Sequence, residues 1–262
     1  MDIYIPETIA SFVVDKPYSV DKVGMSGATV LLYDDYVLKI ADFDNDWRRN
    51  LVMNKWFNGV FPVPELIVGE VHDSKGYLLM SRLSGQILSS SSMLFEPKSV
   101  IKLLVGVLHR LWSLDINACP AVYTLDEKLQ DCADNIVEGY FPVDSTWPRK
   151  YNGKKFDTPE SLLSWLRDNK PSTDLCVTHG DLYLQNILET NGVVTGVIDF
   201  GWSGVADRYQ DLALCFRSLR SPLVKIYGES VTSDLFDYMI CELGISLDIG
   251  KLWYYIMLDE LV

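Results

Sequence analysis

Three oxygen-bearing side chains stand out by their spacing in the segment THGDLYLQNILETNGVVTGVIDFGWSGVADRYQD, residues 178–211. Two apolar runs flank Asn191-Gly192, a dipeptide suited to a type I′ turn, so residues 186–201 read as a β-hairpin. Asn186 opens the first strand and Asp199 ends the second. A hairpin doubles the chain back, which brings these two side chains out together at its open end. An amide and a carboxylate offer hard oxygen donors of the kind that suit Mg²⁺. Asp181 precedes Asn186 by five residues, in the loop leading to the strand. A carboxylate there can take a proton from an attacking hydroxyl.

Metal-assisted chemistry on a phosphate also requires backbone N–H donors and a cation. Residues 24–30, GMSGATV, form a small-residue turn between two β-type runs, and Lys39 follows in YVLKI. Both lie upstream of the hairpin, in the order such a site needs.

The elements that must position these groups fall into two parts. Val20–Val23, Thr29–Tyr33, Tyr36–Ile40, Glu65–Val71 and Tyr77–Ser81 read as short strands, separated by Gly, Asp-Asp or Asp73-Ser74-Lys75-Gly76 turns. One helix is expected near Asp46–Phe57, stopped by Gly59 with Pro62 and Pro64 beyond. A small, polar stretch from Ser84 to Ser92 marks a boundary between lobes. Beyond it, Val100, Leu103, Leu104, Val107, Leu108 and Leu111 recur at helical period within Pro97–Leu114, and residues 158–169 repeat the pattern. The expected class is α+β. A small antiparallel sheet with one helix spans residues 1–80, a hinge spans 81–92, and a larger helical lobe containing the hairpin spans 93–262.

The 262 residues, with 48% hydrophobic and 23% charged, are globular in composition and long enough to bury a core without staples. A net charge of −13 opposes binding to a phosphate backbone or an anionic membrane and suits a cationic partner. The five cysteines are scattered, with no CxxC, which argues against a disulfide framework or a zinc site. The first residues lack the pattern of a signal peptide, and no apolar run approaches a membrane span. These features fit a cytoplasmic protein with no obligate protein partner.

The spacing of Asp181, Asn186 and the Asp199-Phe200-Gly201 unit is that of the protein-kinase-like fold. HGDLYLQN with IDFG is similar to the aminoglycoside phosphotransferases and choline kinases, in which Gly replaces the catalytic-loop Arg of protein kinases. GMS, PVPE at residues 62–65, LLMS at 78–81, THGDL, the Ser203–Asp207 stretch and the ending YYIMLDELV resemble the aminoglycoside 3′-phosphotransferases over nearly the whole chain. The resemblance implies a phosphotransferase using ATP or GTP with Mg²⁺, an aminoglycoside as acceptor, and antibiotic resistance. Asp181 would be the base, and Asn186 and Asp199 would hold the metal. Lys39 and Ser26 would contact phosphates, and Ser81, Arg82 and Leu83 would contact adenine. His179 and Asp211 would support the catalytic loop. Asp259, Glu260 and the Val262 carboxylate would bind the antibiotic amines. From Glu229 to Val262 seven acids face Lys251 alone, which gives that tail its own logic for a polyamine.

Three positions depart from the family pattern. Asn50 stands where a glutamate would pair with Lys39, with Asp46 one helical turn away. Val37 stands where some relatives stack an aromatic on the base. The loop RKYNGKK, residues 149–155, is basic where relatives carry acids. A protein kinase is excluded by Gly180 and by the 12 positions from Asp199 to Asp211, too few for a peptide-docking segment. A kinase of another small alcohol (choline, homoserine or a macrolide) remains as an alternative. A nucleotide-binding pseudoenzyme is a second one, suggested by Asn50.

Overall fold

The computed structural model describes residues 3–21, 27–90, 92–139, 149–151 and 153–262. The first lobe is built from helix α1 (Glu7–Val13), strands β1 (Ser19–Val20), β2 (Thr29–Leu32) and β3 (Tyr36–Asp42), helix α2 (Asn45–Phe57), and strands β4 (Leu66–His72) and β5 (Lys75–Ser81). The strands form one sheet in the order β1-β2-β3-β5-β4, antiparallel throughout. Side chains alternate across it. Leu31, Leu38, Tyr77 and Leu79 pack with Ile9 and Val13 of α1 in a small core on one face. Lys39, one residue beyond Leu38, is turned to the other face.

Helix α2 starts where the Asp44 side chain accepts the Trp47 N–H at 2.8 Å. The sequence reading put Gly76 in the turn before β5. The turn is instead Asp73-Ser74, both at positive φ (46° and 66°), and Gly76 lies within β5. A Cβ at Gly76 would sit 2.2 Å from the Trp47 indole nitrogen, so glycine there lets α2 lie against the sheet.

The second lobe begins with β6 (Gln86–Ile87), which pairs with the later hairpin. It continues with α3 (Pro97–Trp112), α4 (Leu125–Glu138), β7 (Arg149–Tyr151), β8 (Lys154–Phe156) and α5 (Pro159–Asp168). Next come β9 (Leu175–Thr178), β10 (Ile187–Thr190), β11 (Val193–Val197), β12 (Gly204–Asp207), α6 (Tyr209–Tyr227), α7 (Glu229–Leu243) and α8 (Ile249–Leu258). Among the described residues α3–α8 share one large core with Met53 and Phe57 of α2, so the two lobes are joined by apolar packing. No helix among the described residues is long and apolar enough to cross a membrane.

Two ribbons hold the functional loops. Strands β10 and β11 form the expected hairpin, with Asn191 (φ 52°) and Gly192 (φ 76°) at its turn. Strands β9 and β12 pair from Gly204↔Thr178 to Asp207↔Leu175. The loop bearing Asp181 therefore runs from β9 to β10, and the Asp199-Phe200-Gly201 unit runs from β11 to β12. Both are clamped at each end. Helix α8 is tied to this frame by a buried ion pair, Lys251 Nζ to Asp207 Oδ2 at 2.6 Å.

Candidate active site

The catalytic-type loop is shaped by a buried carboxylate. Asp211, in the first turn of α6, accepts the His179 N–H at 2.7 Å on one oxygen and the Gly180 N–H at 2.8 Å on the other. Burial pushes its carboxyl up to about 6, opposed by those two hydrogen bonds. Ser203 Oγ donates to His179 O at 2.6 Å, and Gln210 Nε2 donates to Gly180 O at 3.2 Å. Every polar group of this bend has a partner, as a buried loop requires. Gly180 has φ 86°, and a Cβ there would lie 1.8 Å from the Trp202 carbonyl oxygen. No larger residue fits, which gives the Gly of HGD a steric cause.

His179 is fully buried between the two loops. Its Nε2 lies 3.0 Å from Ile198 O, and its Nδ1 accepts the Asp181 N–H at 3.2 Å. That pair of contacts assigns a neutral ring protonated on Nε2. Burial lowers its pKa to about 4. The imidazole is a brace between strand end and loop, and has no free nitrogen for proton transfer.

Asp181 is half-buried. Asn186 Nδ2 donates to its Oδ2 at 2.8 Å and to its backbone oxygen at 2.7 Å. Burial pushes the Asp181 carboxyl up to about 7, with the Asp199 charge adding to it and the Asn186 hydrogen bond opposing. A base poised near neutrality is what proton abstraction from a hydroxyl asks for. Because Asn186 turns its nitrogen to Asp181, its oxygen is the end left for a cation. The hairpin base is closed by Ile198 N–H donating to Asn186 O at 3.0 Å, which sets Asn186 beside the segment that leads into Asp199.

Asp199 has φ 69°, a strained value for a residue with a side chain. Lys39 Nζ reaches both of its oxygens at 2.8 Å, and Asn50 Nδ2 donates to Oδ1 at 3.2 Å. Burial alone would raise the Asp199 carboxyl, but Lys39 outweighs it and leaves it below the usual carboxylate range. Phe200 is buried between Phe57 of α2 (centroids 5.0 Å) and His179 (5.2 Å). Gly201 O accepts Arg49 Nη1 at 2.7 Å. Asp46 is bonded to Arg49 at 3.1 Å, and has no ion pair or hydrogen bond with Lys39 among the described residues. Asn50, not Asp46, is thus the α2 side chain that joins the Lys39–Asp199 pair.

Of the three hinge residues, Ser81 and Arg82 already use their N–H groups, on Glu65 O and Asp35 O, both at 2.8 Å. Leu83 donates no backbone hydrogen bond among the described residues, so its N–H is the one open to a ligand. Val37 lies on the Lys39 face of β3, two residues away. Ser26, the other residue expected at the phosphates, lies outside the described residues.

The tail acids reach the same neighbourhood. Tyr183, two residues past Asp181, donates its hydroxyl to Asp259 Oδ2. Asp259 and Glu260 are about nine-tenths buried, and both are ion-paired. Arg217 of α6 binds Asp259 at 2.5 Å and Glu260 at 2.7 Å, and Arg149 of β7 binds Glu260 as well. Val262 is exposed and has no ion pair to its carboxylate among the described residues. One further cation lies here. Lys128 of α4 is 3% exposed, its ammonium 5.4 Å from the centre of the Trp202 ring, and that ammonium makes no hydrogen bond or ion pair among the described residues. Burial lowers its pKa, against the pull of Asp259, Asp181 and Asp211.

Tyr183, Lys128, Arg49 and Arg217 were not found by reading the sequence. Tyr183 had a usable signal, an aromatic two residues from the presumed base. The other three are ordinary helix cations until the helices are placed.

Residues 19–238 match the family described as "Phosphotransferase enzyme family". An aminoglycoside 3′-phosphotransferase of Niallia circulans is 34% identical, over 97% of this chain and 96% of its own. One from Enterococcus faecalis is 36% identical, over 82% and 79%. Among solved structures, an aminoglycoside 3′-phosphotransferase of type VIII superposes with a TM-score of 0.77 at 26% identity, over 94% of each chain. An aminoglycoside phosphotransferase of Streptomyces rimosus, in complex with ADP and streptomycin, shares the fold (TM-score 0.75, 21% identity, 97% and 96% of the chains).

Proposed function

Because the chain belongs to the phosphotransferase enzyme family, we propose that it transfers the terminal phosphoryl group of ATP to a hydroxyl of an aminoglycoside, at the 3′ position. Such a transfer would inactivate the antibiotic and make a cell resistant. The observation that carries this reading is the joining of Asp181 to the tail. Tyr183 links the proton-accepting loop to Asp259, so a hydroxyl at Asp181 and an amine at the tail can belong to one small molecule.

Each residue then has a task. Asp181 receives the proton of the acceptor hydroxyl, and Asn186 holds its carboxylate in place. Asp211 and His179 fix the loop so that this carboxylate does not wander. Leu83 N–H and the hinge carbonyls hold the adenine edge. Lys39 moves onto the nucleotide phosphates, with Ser26 covering them. The Asn186 amide oxygen and the Asp199 carboxylate are a hard donor set that fits Mg²⁺, which when bound would neutralise phosphate charge. Transfer is direct, since positioning and electrostatics do the catalysis in this chemistry.

The ion pairs of Asp259 and Glu260 support a second reading, a less cationic alcohol as acceptor. Ammonium groups would have to displace Arg217 and Arg149 from these acids. One assay separates the two. ADP release is measured with Mg²⁺-ATP against kanamycin, a 3′-deoxy aminoglycoside, choline and a macrolide, with Asp181→Ala as blank. Turnover with kanamycin and none with the 3′-deoxy compound is expected. Turnover with choline or the macrolide alone would overturn the first reading in favour of the second.

A further inference from the structure

The carboxylate best suited to a metal is closed by a cation of the protein itself. Both oxygens of Asp199 lie 2.8 Å from Lys39 Nζ, and Oδ1 also receives the Asn50 amide. Among the described residues no other carboxylate pairs with Lys39. The nearest acid of α2, Asp46, is turned to Arg49. Asn50 carries no charge, so it holds Asp199 without offering Lys39 a second anion.

We propose that the Lys39–Asp199 pair is a latch, opened only by nucleotide and divalent cation together, and that the lack of a charged side chain at position 50, where Asn50 stands, makes it so. A cation approaching Asp199 must displace an ammonium that has nowhere to go. A nucleotide approaching Lys39 must draw it from a half-buried carboxylate that would keep only the neutral Asn50 amide as partner. When both arrive, Lys39 passes to the phosphates and Asp199 to the cation, so no charge is stranded. Binding of one ligand therefore strengthens binding of the other by the same factor. A carboxylate at position 50 would remove this coupling by giving Lys39 another partner. The proposal rests on the reading of the cleft as a nucleotide site but is independent of which alcohol is phosphorylated.

The test is equilibrium binding, with no acceptor present. Mn²⁺ binding is followed by its paramagnetic signal with and without ADP, and the ratio of the two dissociation constants is the coupling. Wild type should bind Mn²⁺ weakly alone and at least about 30-fold more tightly with ADP. Lys39→Met should raise the nucleotide-free Mn²⁺ affinity and cut the coupling about tenfold. Asn50→Glu should do the same with Lys39 in place, while Asn50→Leu, which adds no anion, should keep the wild-type coupling. Coupling within twofold of wild type in both Lys39→Met and Asn50→Glu would overturn the latch, as would its loss in Asn50→Leu. Should Asn50→Glu fail to fold, as far-ultraviolet dichroism would show, Lys39→Met decides. A wild-type protein that binds no ADP at all would refute the kinase reading, and the Mn²⁺-only titration of Lys39→Met would still judge the latch.

Discussion

Replacing Asp181 by Asn should kill the enzyme and stabilise the protein, and the second effect should depend on pH. The Asp181 carboxyl is pushed up to about 7 by burial and the Asp199 charge, from an ordinary value of about 3.8. A folded-state pKa above the unfolded one means that the native state holds the proton longer. Stability is then lost as pH rises from about 4 to about 7, and is flat above. Three pH units correspond to about 4 kcal/mol for a fully buried group. Asp181 is half-buried, so solvent screening reduces this to about 1–2 kcal/mol. At 2–4 °C per kcal/mol for a chain near this size, Asp181→Asn should melt about 2–8 °C above wild type at pH 8. At pH 5 only about a third of the gain should remain, because wild type is then mostly protonated at this site. Differential scanning calorimetry at the two pH values, with ADP release as the activity readout, measures both effects. A variant that is inactive but no more stable at pH 8 would refute the account of Asp181 as a carboxylate held against its preference.

The same carboxyl should govern kinetics. With both substrates below KM, kcat/KM should rise about tenfold from pH 6 to pH 8, tracking ionisation of the base, and a flat profile would remove Asp181 from that role. Gly180→Ala should lose at least about 3 kcal/mol of stability, since the added Cβ meets the Trp202 carbonyl at 1.8 Å at a positive φ; an unchanged melting temperature would show that the loop can shift. Lys251→Met should destabilise by about 3–5 kcal/mol in urea, because Asp207 is left buried without its partner. Arg217→Ala should lower KM several-fold for an acceptor rich in amines and leave KM for ATP within twofold, whereas a raised acceptor KM would mean that Arg217 itself binds the substrate.

The sequence showed the parts that local rules control. Asn191-Gly192 announced its hairpin because few dipeptides suit two positive φ values in a row. The α2 stop at Gly59 and Pro62, and the apolar period of α3, needed no knowledge of the rest of the fold. His179, Gly180 and Asp211 could be picked out by type, but their joint geometry depends on packing 32 residues apart in the chain. The tail shows the limit most clearly. Counting charges from Glu229 to Val262 made its acids partners for a polyamine, whereas Arg217 of α6 and Arg149 of β7, which precede that stretch, pair with Asp259 and Glu260 in space. Gly76 was misread for the same reason, since its neighbour Trp47 is remote in sequence. The helix cations Arg49 and Lys128 gained meaning only once α2 and α4 were set against the loops.

The pinning of the Asp199-Phe200-Gly201 unit bears on inhibition. In kinase-like sites the packing of the aromatic residue of this unit separates active from inactive forms. Here each of the three residues has its own restraint: Lys39 and Asn50 on the first, Phe57 and His179 around the second, Arg49 on the third. Inverting the unit would break all of them at once and empty a position in the core shared by both lobes. A compound that needs the aromatic ring displaced should therefore bind poorly here, and one directed at the proposed nucleotide cleft or at the acids beside Tyr183 should bind better.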